Sequence, residues 1–322
     1  MFRAGTRFLA AALLCSLVGV AGAADFPDRA ITVVTPFPAG GATDALTRVL
    51  TEEMSKTLGQ SMIVENRAGA ATTIGASHAA RATPDGYTIL LATNSTLVTN
   101  RFLFKSLPYD PDAFEPIGMI GIGPMILLSA KKHDFKSVED VVAQARKAPD
   151  TLSIASFGAG TSSHLAAEYF QQLADIKLLH VPFKGSTQAL PQVVNGDVDL
   201  FFDMVSTGMP QVNADKVDVL AITSKNRLST LPDLPTLDEE GYAGFDITAW
   251  FTLVAPPGTP ATVTATLNKA LKAALNNESV RERMLTMGIA PADGTPDALE
   301  SQIKTEIPII GALVERANIV VQ

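Results

Sequence analysis

The chain has 322 residues, of which 47% are hydrophobic, and it carries a formal net charge of −8 with a single cysteine. The acidic balance argues against a nucleic-acid-binding protein, because such proteins present a basic surface. One cysteine excludes an intramolecular disulfide, so the fold depends on its hydrophobic core.

The first 24 residues have the features of a secretory signal peptide. Arg3 and Arg7 are followed by an apolar run and then by Ala21-Gly22-Ala23, which is an A-x-A cleavage signal. The apolar run is shorter than the roughly 20 residues that a membrane span needs, which disfavours an uncleaved anchor. Cys15 follows a leucine, whereas a lipoprotein signal has a small residue at that point. We therefore expect cleavage near residue 24, export to the periplasm and a mature chain without thiol chemistry.

Short β-branched runs alternate with longer amphipathic runs along the rest of the chain. Apolar residues at a spacing of 3.6 predict a helix over residues 43–58, followed by a glycine. Ser137 and Asp140 form a capping box before a helix to about residue 147, and Thr259-Pro260 and Thr295-Pro296 predict two further helix starts. Strands are predicted at residues 31–35, 61–65, 88–92, 152–156, 177–181, 198–202 and 217–223. This alternation predicts α/β architecture with mostly parallel sheets.

Two apolar segments, residues 117–129 and 247–257, can each carry the chain from one lobe to another. On this interpretation residues 25–123 and 250–322 form a discontinuous first lobe, and residues 124–249 form the second. One continuous sheet with long loops is the alternative.

A glycine-rich turn separates the first predicted strand from the first helix. Its glycines lack Cβ atoms, so a ligand can approach the backbone closely. The helix start offers N–H groups without intrahelical partners beside the positive end of the helix dipole, which suits an anion. Asp44, at the start of the helix, can satisfy the helix dipole by itself or pair with a ligand ammonium. The alternative for the whole segment is a turn with a purely structural role. The candidate ligand-binding residues here are Phe37, Pro38, Ala39, Gly40, Gly41, Thr43 and Asp44.

A second turn with the same pattern follows the strand at 152–156. It leads into a helix that begins near Ser162, where hydroxyl groups lie beside free N–H groups, although ordinary capping is the alternative. The candidates are Gly158, Thr161, Ser162, Ser163 and His164. Because each predicted lobe has one such turn, a ligand between the lobes can be held by a helix N-terminus from each side.

Further candidates follow other strands. Lys184, with Gly185 beside it, offers a positive charge to an anion, or it is a solvated surface residue. Asp203 ends an apolar strand and can line the cleft or pair with a ligand ammonium. Ligands of open α/β sheets bind outside the carboxyl ends of strands, although turn and cap chemistry explains polar residues there equally well. The candidates by that position are Asn66, Thr93, Asn94 and Ser95.

The sequence does not favour catalysis or metal binding. Ser162 and His164 are two residues apart on a helix, so they do not face each other, and no G-x-S-x-G elbow is present. No two histidines have metal-ligand spacing. We predict a protein without enzymatic activity, cofactor or metal. A periplasmic serine hydrolase using Ser162 or Ser163 is the alternative from a different class.

An ordered series of motifs resembles one known family along essentially the whole mature chain. The motifs are FPDR at 26–29, PFPAGGATD at 36–44, VENRAGA at 64–70 with IGA at 74–76, PDGYT at 84–88, GTSSHLA at 160–166, VPFKG at 181–185, GDVD at 196–199, LAITS at 220–224 and LPDLPT at 231–236. In these stretches the chain resembles the Bug, or TctC-like, periplasmic solute-binding proteins of tripartite tricarboxylate transport systems.

The resemblance implies a two-lobed, Venus-flytrap binding protein of type II that closes on its ligand by a population shift. It implies a small carboxylate ligand: a di- or tricarboxylate, an acidic amino acid or an aromatic acid. One carboxylate is then held by residues 37–43, partly through water, with a contribution from residues 158–164. Membrane permease subunits of the TctA/TctB type are the implied partners, and a monomer is expected. A ligand-presenting partner of a membrane sensor is a further alternative.

Two departures from the family pattern bear on the pocket. Ala71-Thr72-Thr73 stands where the family usually has more glycine, and Phe183 stands where a tyrosine is common. If the first segment borders the pocket, Thr72 and Thr73 narrow it or add hydroxyl groups. The identity of the acid does not carry over from the family across this change.

Overall fold

The structure is a computed structural model that describes residues 26–316, so the predicted signal peptide lies outside the described residues. The strands are β1 (Ile31–Thr35), β2 (Met62–Asn66), β3 (Thr88–Thr93), β4 (Glu115–Ala130), β5 (Ser153–Ser156), β6 (Leu179–Pro182), β7 (Leu200–Met204), β8 (Val217–Ile222), β9 (Thr248–Ala255) and β10 (Ala290–Pro291). The helices are α1 (Ala42–Leu58), α2 (Thr73–Ala80), α3 (Asn100–Leu103), α4 (Val138–Lys147), α5 (Ser162–Ala174), α6 (Ser186–Asn195), α7 (Val205–Asn213), α8 (Ala261–Asn276), α9 (Glu278–Thr286) and α10 (Pro296–Arg316).

The sheet consists of two parallel parts that are joined by long antiparallel strands. Its strand order is β2-β1-β3-β9-β4-β7-β5-β6, and β8 and β10 also pair with β4. Strand β1 is parallel to β2 and β3, and β5 is parallel to β6 and β7. The pairings of β4 and β9 are antiparallel, which the alternation of strands and helices did not predict. The predicted two-lobed α/β architecture is confirmed.

Strand β4 changes partners along its length. It pairs with β9 from Glu115 to Pro124, and with β7 and β8 from Met125 to Ala130. Strand β9 pairs throughout with the first half of β4, and the residue before it, Ile247, donates its N–H to the carbonyl of Thr223 next to β8. The exact lobe boundaries stay a prediction.

The central strands have continuous apolar sequences, as is typical of parallel strands that are covered on both faces. In β3, for example, Ile89, Leu90, Leu91 and Ala92 are all fully buried. Helix α1 buries Leu46, Val49, Leu50 and Met54, as their spacing predicted, and ends at Gly59 with a left-handed φ of 67°.

The cap predictions are confirmed except for one. Asp140 N–H donates to Ser137 Oγ at 3.2 Å, and Ala298 N–H donates to Thr295 Oγ1 at 3.2 Å. The prediction that Thr259 is an N-cap was wrong. The Thr259 hydroxyl donates to the carbonyl of Pro256 at 2.7 Å, and α8 begins at Ala261, one residue later than expected. Between residues 26 and 316, none of the helices is long and apolar enough to span a membrane.

Candidate ligand-binding site

Three helix N-termini meet at one cavity, which we name the inner cleft. They are the starts of α1, α5 and α6, each directly after a strand–loop segment. The cleft and its opening to solvent contain about 450 Å³ of empty space, of which about 30 Å³ can hold the centre of a water molecule. It is lined by Phe37, Pro38, Gly41, Ala42, Thr43, Thr93, Phe157, Ser162, Gly185, Ser186, Thr187, Met204, Ala249 and Phe251.

None of the three helix starts has a side-chain cap from the described part of the chain. The N-cap residues are Gly41, Thr161 and Gly185. Thr161 instead donates its hydroxyl to the carbonyl of Gly158 at 2.8 Å. Buried N–H groups at a helix start need acceptors, and the dipole there favours negative charge. The inner cleft can therefore receive the oxygen atoms of an anion.

Internal hydrogen bonds order the loop before α1. Asp44 accepts hydrogen bonds from Gly40 N–H at 3.0 Å, from Asn66 Nδ2 at 2.9 Å and from two nitrogens of Arg48 at 3.0 Å. Asn66 Nδ2 also donates to the carbonyl of Phe37 at 3.1 Å. Burial opposes ionisation of Asp44, but the hydrogen bonds from Arg48, Gly40 and Asn66 outweigh it and hold the pKa of the carboxyl below its ordinary value. Asp44 and Asn66 thus position the loop that borders the cleft.

A pair of histidines orders the loop before α5. His164 Nδ1 accepts from Gly160 N–H at 3.0 Å, and the ring of His164 stacks on that of His180 with 3.9 Å between centroids. Ser156 Oγ lies 2.7 Å from His180 Nε2 and accepts from Gly158 N–H at 3.1 Å. Burial, with the neighbouring His164, lowers the pKa of His180 to about 4, so this ring is neutral near pH 7.

A chain of polar contacts connects the start of α5 to Asn94 and Glu306. Ser162 Oγ donates to Asn94 Oδ1 at 3.4 Å, and Asn94 Nδ2 lies 3.2 Å from the carbonyl of Thr248 and 3.4 Å from Glu306 Oε1. Trp250 Nε1 donates to the other oxygen of Glu306. Burial raises the pKa of Glu306 to about 7. These contacts link the start of α5 to Asn94, β9 and α10.

Asp203 lies behind the start of α6. Its Oδ1 accepts from Ser186 Oγ and from Met204 N–H, the latter at 2.8 Å, while Oδ2 has no partner among residues 26–316. The residue is fully buried, and burial raises the pKa of its carboxyl to about 7. A protonated Asp203 presents no charge to the inner cleft.

The serine and histidine side chains do not form an accessible nucleophile–base pair in this site. Ser163 Oγ donates to the carbonyl of Phe202 at 2.7 Å, and Ser162 and His164 have the separate partners given above. Ser156 and His180 do form a serine–histidine contact. Ser156 is fully buried, however, and lines neither the inner cleft nor the second cavity described below. Across the described chain no group of three His, Cys, Asp or Glu side chains is arranged to hold a metal.

A second cavity adjoins the inner cleft and shares Phe37 and Phe157 with it. We name it the outer cavity. The outer cavity and its opening to solvent contain about 720 Å³ of empty space, of which about 290 Å³ can hold the centre of a water molecule. It is lined by Pro36, Phe37, Gly69, Ala70, Ala71, Thr72, Phe104, Phe157, Gly158, Ala159, Thr161, Phe183 and Lys184.

The sequence matches the model of TctC, the tripartite tricarboxylate transporter family receptor, over residues 46–319. The chain belongs to the TctC family. Its fold is similar to that of the periplasmic binding protein BugD, with 37% identity, a TM-score of 0.87 and coverage of 91% of this chain and 99% of that one. It is also similar to R. palustris Rpa4515 with adipate, at 32% identity and a TM-score of 0.89 over 92% and 100% of the two chains. MatC from Rhodopseudomonas palustris with bound malate is 35% identical, with a TM-score of 0.85 over 90% and 100%.

The Bug or TctC-like resemblance and the periplasmic-binding-protein fold are thereby confirmed. This TctC-family chain is a periplasmic solute-binding protein, and it is located outside the cytoplasm.

The predicted site residues of this TctC-family protein fall into three groups. Those on the inner cleft are Phe37, Pro38, Gly41, Thr43, Thr93, Ser162 and Gly185. Those on the outer cavity, besides Phe37, are Gly158, Thr161 and Lys184. Those that line neither cavity are Ala39, Gly40, Asp44, Asn66, Asn94, Ser95, Ser163, His164 and Asp203.

Sequence reasoning missed most of the apolar wall of the inner cleft. Phe157, Met204, Ala249 and Phe251 line it, yet nothing in an apolar residue distinguishes a cavity wall from the core. The signal that could have found Phe157 is its place at the carboxyl end of β5, next to the glycine turn.

Proposed function

We propose that this protein captures a small carboxylate in the inner cleft and delivers it to membrane permease subunits of the TctA/TctB type. The observation that carries the proposal is the convergence of three uncapped helix N-termini, those of α1, α5 and α6, on one cavity. Their N–H groups and the hydroxyls of Thr43 and Thr93 supply donors for carboxylate oxygens. Two similar proteins were solved with adipate and with malate, both of which are carboxylates.

The proposal includes a division of labour between two lobes. Residues 25–123 with 250–322 form one lobe and residues 124–249 the other, and a monomer closes around the acid without covalent chemistry, metal or cofactor. The change of partner along β4 after Pro124 supports the boundary. Ser162 and Asn94, which share a hydrogen bond, belong to different lobes in this division.

The test uses the protein purified without added ligand. Mass spectrometry of the denatured sample identifies any acid that co-purifies, and isothermal titration then measures binding of aliphatic and aromatic mono-, di- and tricarboxylates, including adipate and malate. Adipamide is the matched control, because it has the length of adipate without its charge. We expect at least one acid to bind and adipamide to fail. Equal binding of adipate and adipamide, or no binding by any acid, would refute an anion site.

Delivery to a permease needs a separate measurement. The protein, loaded with the acid identified above, is used to capture detergent-solubilised membrane proteins. Recovery of permease subunits supports transport, and recovery of a membrane sensor alone supports ligand presentation instead.

A further inference from the structure

We propose that the acid this protein captures is an aromatic monocarboxylate, with its carboxylate in the inner cleft and its ring in the outer cavity. The inference rests on the proposed function, because it takes the inner cleft as the carboxylate site. The two cavities share Phe37 and Phe157, so one ligand can extend from the first into the second. The space that water can reach in the inner cleft is about 30 Å³, which has room for a carboxylate group but little more. The corresponding space in the outer cavity is about 290 Å³, which has room for an aromatic ring.

Four phenylalanines line the outer cavity. Phe37 and Phe104 come from the first lobe, and Phe157 and Phe183 come from the second. The ring of Phe157 is held edge to face by Phe201, with 5.4 Å between centroids and an interplanar angle of 80°. Aromatic rings that surround a flat apolar group favour it through offset and edge-to-face packing beyond the burial of area. Closure of the lobes brings these four rings around a ligand from both sides.

The segment from Ala70 to Thr72 forms a further wall without offering polar side-chain groups. These three residues have left-handed φ angles of 45°, 50° and 75°. The carbonyl of Ala71 accepts from Asn100 Nδ2 at 2.7 Å, and Thr72 Oγ1 is paired with Thr96 Oγ1 at 2.9 Å. Thr72 is buried and its Oγ1 also accepts from Asn100 Nδ2 at 3.4 Å, so its oxygen is turned toward partners inside the protein, and Thr73 does not line the cavity.

The left-handed conformation costs an L-residue free energy that glycine would avoid. Side chains at three such positions in a row place Cβ atoms where a glycine segment would leave open space and bare backbone. This wall therefore narrows the outer cavity and adds apolar surface to it.

The charge around the two cavities fits one carboxylate better than two. Lys184 is the only charged side chain that lines either of them, within the described range, and it is exposed to solvent. A second carboxylate in the outer cavity would lose water and gain only this screened cation in return. An apolar ring at the same place gains contact with the phenylalanines and has no such desolvation cost.

Isothermal titration compares benzoate, phenylacetate and 3-phenylpropionate with succinate, malate and adipate. We expect the best aromatic monocarboxylate to bind at least tenfold more tightly than the best dicarboxylate. Tighter binding of a dicarboxylate would overturn this inference and leave the proposed function in place. If no acid of either series binds, the proposed function falls with it.

Two variants locate the ring. Phe104→Leu and Phe183→Leu keep an apolar side chain but remove an aromatic wall, and each should weaken the best aromatic acid by roughly three- to tenfold. Neither should weaken acetate, which does not reach the outer cavity. Phe102→Leu is the matched control, because Phe102 lies two residues from Phe104 and lines neither cavity. Affinity losses of equal size in Phe102→Leu and Phe104→Leu, or no loss in either outer-cavity variant, would overturn the placement of the ring.

Discussion

We expect Gly160→Ala to lower the stability of the protein and to hinder closure of its lobes, through two effects that can be measured separately. Gly160 has a φ of +81°, and a Cβ atom added there would lie 2.1 Å from Cδ1 of Leu103. Leu103 belongs to α3, which the proposed division places in the other lobe, and it is only 4% exposed, so its side chain has little space into which to move. The added methyl group therefore creates a backbone strain within one loop and a clash between the lobes.

The two effects have different magnitudes in different assays. A left-handed φ costs an L-residue about 1–2 kcal/mol, whether the lobes are open or closed, so the free energy of unfolding should fall by that amount. Overpacking costs about 1–3 kcal/mol, and it acts only where the two loops meet. Since 1.4 kcal/mol is a factor of ten, the affinity for the best acid should fall by about 5- to 150-fold.

The assays are urea unfolding for stability, isothermal titration for affinity and small-angle scattering for closure. Gly258→Ala is the matched control, since Gly258 has the same φ of +81° but no atom within 4 Å of the added Cβ. It should lose the same stability and keep the affinity. In the double variant with Leu103→Val, which lacks the clashing Cδ1, affinity should recover. Wild-type affinity in Gly160→Ala, or an equal affinity loss in Gly258→Ala, would refute the reasoning.

Three further predictions follow from single positions. Gly41 has a φ of −83°, which valine adopts without strain, so Gly41→Val should leave the melting temperature nearly unchanged. The valine side chain would fill the inner cleft, so the same variant should show no acid binding in isothermal titration. Ala71→Gly should raise the free energy of unfolding by about 0.5–1 kcal/mol in urea, because glycine relieves the φ of 50°, and a loss of stability would contradict the strain. Burial raises the pKa of Asp203 to about 7, so the folded protein holds a proton there that the unfolded chain releases above about pH 4. The contribution of Asp203 to stability should therefore fall as pH rises from about 4 to 7, while Glu306 adds to that fall and His180 opposes it. Asp203→Asn should accordingly shift the slope of the melting temperature against pH to a more positive value in that range, and a slope equal to that of the wild type would contradict the assignment.

The local parts of the site could be predicted from the sequence. The turn before Gly41 and the turn before Ser162 were recognised because glycine, a strand end and a helix start are adjacent in the chain. The burial of Leu46, Leu50 and Met54 followed in the same way from helical spacing. Short-range signals of this kind depend only on neighbouring residues, so they can be interpreted without knowledge of the tertiary contacts.

Only the tertiary structure decided which of these groups line a cavity and which form hydrogen bonds within the loops. Asp44 and Asn66 looked like ligand contacts, but their partners are Gly40, Arg48 and the carbonyl of Phe37. Asn94 meets Glu306 across 212 positions of sequence, a pairing that no local pattern encodes. The apolar wall of both cavities was hidden for a related reason: a phenylalanine obeys the same burial rule in a core and in a binding cavity, and only packing distinguishes them.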